Sequence, residues 1–148
     1  MIIAAAVLSL NALAQTPATE VTPIQLDAAA LVWTDAPAAM PKGTTMTVLE
    51  GDPKKEGLFT IRLKAPKGFL LGPHTHPVDE RVTVIEGTIA VGFGASVDKG
   101  KGRRFGVGSF YVNPPGRPHF VWSDEGCVVQ ITGVGPWKVE PLTPPKAP

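Results

Sequence analysis

At 148 residues, the chain is long enough for one domain with a hydrophobic core and too short for two ordinary ones. Its 43% hydrophobic content is typical of globular proteins, which argues against wholesale disorder. The formal net charge is +1, and no basic stripe is interleaved with aromatic residues, so nucleic-acid binding has no electrostatic basis. The 16 glycines and 16 prolines disfavour long helices and favour short strands joined by tight turns.

Cys127 is the only cysteine of the chain. A single cysteine excludes an intramolecular disulfide, a four-cysteine zinc site and a CxxC redox centre. The residues that follow it, Val128 and Val129, indicate the start of a strand, so we expect a buried free thiol that packs as a small hydrophobic side chain.

Residues 1–14 are almost wholly apolar and end in Ala12-Leu13-Ala14 before Gln15. The pattern is typical of a signal peptide with an A-x-A cleavage site, and the run is too short to span a bilayer, which takes about 20 residues. We therefore expect an exported protein, periplasmic or secreted, with no stable membrane association after the signal is removed. The alternative is an N-terminal strand or helix packed on the domain of a cytoplasmic protein.

The remaining chain is predicted to be almost entirely β. A flexible extension over residues 15–32 includes one short helical turn after Asp27, and a proline-rich tail covers residues 139–148. Between them, a β-barrel or sandwich is expected over residues 33–138, because many short strands with few helices favour such a fold. The predicted strands are 45–50, 58–64, 80–85, 88–93, 105–107, 109–112, 119–122 and 128–132.

All three histidines fall in two short segments with spacing suited to a metal ion. His74, His76 and Glu80 share the parity of one face of a strand, and His119 can join them if its own strand lies alongside. Imidazole nitrogens with one carboxylate oxygen suit a divalent transition metal such as Fe, Mn, Ni, Cu or Zn. Four protein ligands leave one or two open positions in a five- or six-coordinate ion, as in a catalytic site.

The first segment has the spacing Gly-x5-His-x-His-x3-Glu-x6-Gly between Gly68 and Gly87. The second has Gly-x5-Pro-x-Gly-x2-His between Gly108 and His119, with Ser123 at a position where asparagine is usual. These two motifs resemble those of the cupin superfamily, and residues 33–137 are similar to small single-domain bacterial cupins. The resemblance implies a jelly-roll barrel (a double-stranded β-helix) of six to eight strands, often a homodimer, with the metal inside one end.

Several functions remain open for such a site. The leading hypothesis is a metal-dependent enzyme acting on a small organic molecule, in which Glu80 can also take up a proton. The resemblance ranks dioxygenase or oxidase chemistry first and isomerase or lyase chemistry next. The alternatives are a non-catalytic module that binds a sugar or carboxylate with the help of the metal, and a metal-bearing structural or storage protein, which the short chain makes less favourable.

The alternation of side chains along a strand predicts which residues surround the site. Valines that share parity with Glu80 or His119 should face the barrel interior and make it apolar; they are Val78, Val82, Val84 and Val121. Four further side chains lie near enough in sequence to line a pocket, although packing in a core or an interface is the favoured interpretation; they are Tyr111, Phe120, Trp122 and Gln130. The basic loop 94–104 is interpreted as a solvated connection, and Arg81 should point away from the metal.

Overall fold

The computed structural model describes residues 22–142, so the predicted signal peptide at 1–14 and the end of the proline-rich tail lie outside the described residues. Ten strands account for most of the described chain. They are β1 (Thr34–Asp35), β2 (Thr45–Glu50), β3 (Gly57–Ala65), β4 (Phe69–Thr75), β5 (Glu80–Phe93), β6 (Arg103–Gly106), β7 (Phe110–Asn113), β8 (His119–Ser123), β9 (Cys127–Gly135) and β10 (Glu140–Pro141).

The strands form one curled, wholly antiparallel sheet in the order β1-β2-β3-β9-β5-β8-β4-β10. The long strand β5 joins its two halves, because its first part pairs with β9 and β7 and its second part pairs with β8 and β6. The halves face each other across the main hydrophobic core, which includes Phe59, Ile61 and Val129. The predicted all-β jelly roll is confirmed.

Strand β5 replaces the two separate strands predicted at 80–85 and 88–93. Its register against β9 shifts between Val84 and Glu86, and this bulge lets the strand bend from one half of the barrel to the other. At Gly87 the backbone has φ of 68°, and a side chain there would press into the carbonyl oxygen of Gly126. Glycine at this motif position is therefore a requirement of the bend.

A second bulge lies in β4, where the register against β8 shifts between Leu71 and His74. Leu71 and His74 are three residues apart, so in a regular strand they would face opposite sides of the sheet. The bulge restores them to the same side, and both are buried in the barrel. The position of His74 inside the barrel thus depends on Gly72 and Pro73, the two residues within the bulge.

In the described part of the N-terminal extension, residues 22–32, there is a single 3-10 turn, Ala28–Ala30. Asp27 occupies the position before it but makes no side-chain cap, and the turn is closed instead by the Ala30 amide donating to the Asp27 carbonyl at 3.0 Å. A further 3-10 turn, Lys99–Lys101, lies in the basic loop. Within residues 22–142, no helix is long and apolar enough to cross a membrane.

Candidate metal centre

The three histidines converge inside the barrel. His74 lies near the end of β4, His76 just beyond it and His119 at the start of β8, where His74 and His119 are direct partners in the antiparallel ladder. One ring nitrogen of each histidine lies within 4.8 Å of those of the other two. All three side chains are almost fully buried, at 2%, 1% and 0% exposure. The structure therefore brings together residues 43 positions apart in the sequence, as the metal-site hypothesis requires.

Each imidazole is oriented by a hydrogen bond from Nδ1 to a main-chain carbonyl. His74 Nδ1 donates to Gly72 O at 2.7 Å, and His119 Nδ1 donates to Arg117 O at 3.0 Å. His76 Nδ1 donates to Lys138 O at 2.8 Å. A carbonyl can only accept, so these bonds select the neutral tautomer with a proton on Nδ1 and leave Nε2 free to bind a metal ion.

The free Nε2 atoms lack protein hydrogen-bond partners. Those of His76 and His119 are buried and accept no hydrogen bond from any described residue. Burying polar atoms without partners is costly, and a cation held between them would remove that cost. The donor set, the fixed tautomers and the two unpartnered nitrogens together fit a divalent transition metal.

Glu80, the first residue of β5, supplies an oxygen at the same point. Its Oε2 lies 3.3 Å from His76 Nε2 and 3.8 Å from His119 Nε2, so the carboxylate lies beside two of the three histidines. Among the described residues, the group whose ligand atoms all lie within 4.8 Å of one another comprises the three histidines without Glu80. The same oxygen accepts a hydrogen bond of 2.8 Å from Nδ2 of Asn113, which is completely buried. Asn113 was missed by the sequence analysis; the signal available was its place directly before Pro114 of the second motif, and its pairing with Glu80 in the β5·β7 ladder became visible only in the structure.

The electrostatics of the cluster keep two histidines neutral. Burial lowers the pKa of His74 to about 4, with the nearby His119 adding to the effect, and burial also lowers the pKa of His119. Burial opposes a charge on His76 as well, but the adjacent Glu80 carboxylate outweighs it and raises the His76 pKa. In turn, His76 and Asn113 hold the pKa of Glu80 below its usual value despite burial. Burial thus favours the neutral form of His74 and His119, and the Glu80 carboxylate lies closest to His76.

The cluster opens onto a small, mostly apolar cavity of about 30 Å³. That volume holds about one water molecule. His74, His76 and Glu80 form its polar wall, and the hydrophobic walls include Tyr111 and Trp137. Burial raises the pKa of Tyr111 well above its usual value, with the Glu80 charge adding to the effect, so its hydroxyl stays protonated.

The predicted lining residues separate into two groups. Val82, Val84 and Val121 are buried in the main core and Tyr111 lines the cavity. The prediction for Val78 is wrong: it lies between β4 and β5, is only partly buried and does not line the cavity. Gln130 accepts a hydrogen bond from Arg62 at 3.2 Å. Phe120 and Trp122 instead stack on each other in a second cluster. Lys99 of the basic loop lies over the Trp122 ring, so the residues before β6 cover this cluster and are more than a solvated connection. As predicted, Arg81 points away from the site, and its side chain is exposed; it pairs with Asp79.

Comparisons with known proteins agree with this fold. The family described as "Domain of unknown function (DUF4437)" matches residues 15–139. No curated protein sequence matches the chain significantly. Among solved structures, the polyketide cyclase RemF from Streptomyces resistomycificus is 17% identical, with a TM-score of 0.68 over 82% of this chain and 87% of the other. An acetylacetone dioxygenase from Acinetobacter johnsonii is 16% identical, with a TM-score of 0.62 over 84% and 81%. An RmlC-like cupin from Shewanella frigidimarina is 16% identical, with a TM-score of 0.60 over 76% and 91%.

Proposed function

Since the chain belongs to the DUF4437 family and has the cupin fold, we propose that it is a metal-dependent enzyme acting on a small organic molecule. The observation that supports the proposal most directly is the convergence of three buried imidazoles, each oriented by a main-chain carbonyl, with the Glu80 carboxylate beside two of them. Its ligands would be His74, His76, Glu80 and His119, holding one divalent ion of Fe, Mn, Cu, Ni or Zn.

The roles of the residues follow from their positions. When bound, the ion would act as a Lewis acid and as a centre for dioxygen chemistry. The three imidazoles would hold it through Nε2, and Glu80 would add a negatively charged oxygen. Because the Glu80 carboxylate lies on the cavity wall, it could also take up a proton from a substrate placed there. The apolar walls would exclude water and strengthen these electrostatic interactions.

Dioxygenase or oxidase chemistry is the leading reaction class. It is supported by the similarity in fold to the acetylacetone dioxygenase from Acinetobacter johnsonii and by a donor set suited to a redox-active metal. The similarity in fold to the polyketide cyclase RemF supports a non-oxidative reaction, such as an isomerase or lyase reaction, as the second class. These likenesses concern fold, and the reaction itself is a matter for experiment.

The first experiment measures metal stoichiometry. Purified protein is loaded with Fe, Mn, Cu, Ni or Zn in turn, and bound metal is measured by mass spectrometry. We expect one ion per chain, which His76→Ala abolishes and Glu80→Gln weakens, while circular dichroism remains β-rich. Glu86→Gln is the matched control, because Glu86 lies on the same strand but is exposed. Undiminished metal in His76→Ala would contradict the site.

The second experiment measures turnover. Each metal form is incubated with β-diketones, flavonols, uronic acids and oxalate, while oxygen uptake and product formation are followed. Oxygen uptake that depends on both metal and substrate would support the leading class, and product formation without oxygen would favour the second. Saturable binding without turnover for every metal would instead favour the non-catalytic binding module.

A further inference from the structure

The three metal-site histidines differ in what orients them. The acceptors for His74 and His119 are carbonyls only two residues earlier in the chain, so these rings are oriented by their own strands. The acceptor for His76 is the Lys138 carbonyl, 62 residues away, and His76 itself lies beyond the end of β4. The orientation of His76 therefore depends on the C-terminal segment, which we define as residues 136–142.

The C-terminal segment also contacts the His76 ring directly. The Trp137 indole stacks on the imidazole with ring centroids 5.2 Å apart and an interplanar angle of 18°. The Trp137 indole also packs on Phe59 of the core, with ring centroids 5.9 Å apart. The imidazole is thus held by a hydrogen bond at its Nδ1 edge and by an aromatic face, both supplied by consecutive residues of one segment.

The same segment forms a wall of the cavity. Trp137 and Val139 line the cavity beside the metal site, together with Met40 and Thr44 of the loop before β2 and with residues of the barrel strands. The barrel strands are paired on long ladders, such as the nine residue pairs between β3 and β9. The C-terminal segment is held by the two residue pairs of β10 with β4 and by two further main-chain hydrogen bonds, from Trp137 to Pro53 and from Leu142 to Pro73. Local opening costs least where such bonds are few, so this wall should open more easily than the walls formed by the long ladders.

We propose that the Trp137-Lys138 pair positions His76 and closes the cavity, so that the C-terminal segment is the wall that moves when a molecule larger than water reaches the site. The proposal rests on the proposed metal function for its affinity readout, but its structural part does not require a metal. With the wall closed, the volume of about 30 Å³ admits no organic substrate, and Trp137 is the largest side chain of the segment that limits it.

The test uses the full-length protein and the variants Trp137→Ala and Trp137→Phe. In the metal-free protein, carbethoxylation of each histidine by diethyl pyrocarbonate is followed by mass spectrometry. We expect Trp137→Ala to raise the reaction rate of His76 by about tenfold or more, with a much smaller change at His74 and His119, and Trp137→Phe to restore most of the protection. Trp33→Ala is the matched control, because that indole lies over Lys64 and does not line the cavity.

Metal affinity provides the second readout. Competition with a chromophoric chelator for Zn²⁺ should show weaker binding by about 10- to 100-fold in Trp137→Ala, with partial rescue by Trp137→Phe. If the unaltered protein bound no metal, the proposed function would fail, while the carbethoxylation rates would still decide the role of the segment.

Two outcomes would overturn the inference. One is a His76 reaction rate and a Zn²⁺ affinity in Trp137→Ala within twofold of the unaltered protein. The other is an equal rise in rate at all three histidines in a folded variant, because that reports general loosening. Should Trp137→Ala fail to fold, Trp137→Leu takes its place, since leucine fills much of the volume but cannot stack on the imidazole, and the same two criteria apply.

Discussion

Replacing Asn113 with alanine should weaken metal binding although Asn113 is not a ligand. Its Nδ2 donates a 2.8 Å hydrogen bond to the Glu80 carboxylate, and both side chains are buried. A hydrogen bond to a charged group is worth about 1.5–3 kcal/mol, and each 1.4 kcal/mol or so corresponds to a factor of about ten in affinity. The loss also raises the pKa of Glu80, so a proton competes better with the ion. Together these effects predict metal affinity lower by about 10- to 100-fold.

The assay is competition for Zn²⁺ against a chromophoric chelator at pH 7, with the free energy of unfolding measured in urea alongside. Ser123→Ala is the matched control, because Ser123 is also buried and the substitution removes its 2.7 Å hydrogen bond to Thr88 O. Ser123 lies at the opposite end of β8 from His119, away from the metal site. Both variants should lose stability, and only Asn113→Ala should lose affinity. Affinity within twofold of the unaltered protein in a folded Asn113→Ala variant would refute the role assigned to this hydrogen bond.

Three further predictions follow from burial. The pKa of His74 is about 4 in the folded protein and about 6.5 in the unfolded chain, so the unfolded chain takes up the proton first as the pH is lowered. The free energy of unfolding of the metal-free protein should therefore decrease by on the order of 3 kcal/mol as the pH falls from about 6.5 to about 4. Urea unfolding of the wild type and of His74→Gln across this range measures the difference. Equal losses in both proteins would contradict this. Cys127 is buried, and burial raises the pKa of its thiol, so the reactive thiolate is scarce and shielded in the folded protein. A disulfide reagent should therefore react with Cys127 at least about tenfold more slowly in the native protein than in urea, and equal rates would mean an accessible thiol. Phe59→Ala should cost about 3–5 kcal/mol in urea unfolding, whereas Phe110→Ala, exposed on β7, should cost about 0.5 kcal/mol or less. Similar costs for both would place Phe59 outside the core.

The sequence predicted seven of the ten strands at least approximately, because apolar alternation is a local signal, but it missed β4, which carries His74, and the two-residue strands β1 and β10. Strand β2 has the predicted bounds, and β3, β8 and β9 extend the predicted ranges by one to four residues in total at their ends. The merging of two predicted strands into β5 was missed, since a glycine between apolar runs ordinarily marks a turn. Here the partner strand β9 continues past Gly87 and holds the chain extended.

The site could be predicted in its residues but not in its supports. His74, His76 and Glu80 do lie close together, but the predicted reason, one face of a single strand, is wrong: His74 belongs to β4, His76 lies beyond its end and Glu80 begins β5. Parity also takes no account of the bulge in β4 that keeps Leu71 and His74 on one side. Asn113 and Trp137 act on the cluster through contacts made 33 and 61 positions away in sequence, from Glu80 and His76. Pairing at such distances is set by sheet register and by the path of the C-terminal segment, which no local pattern encodes.

The carbonyl acceptors of the three imidazoles have a consequence for how the protein can change. His119 and His76 are oriented by the main-chain carbonyls of Arg117 and Lys138, so the side chains at these two positions do not contribute to the orientation and can be exchanged for many others. Mutational tolerance should therefore be high at Arg117 and Lys138 and low at the histidines themselves. Charge and shape around the entrance could diverge among relatives, and with them the molecules admitted, without disturbing the chemistry within.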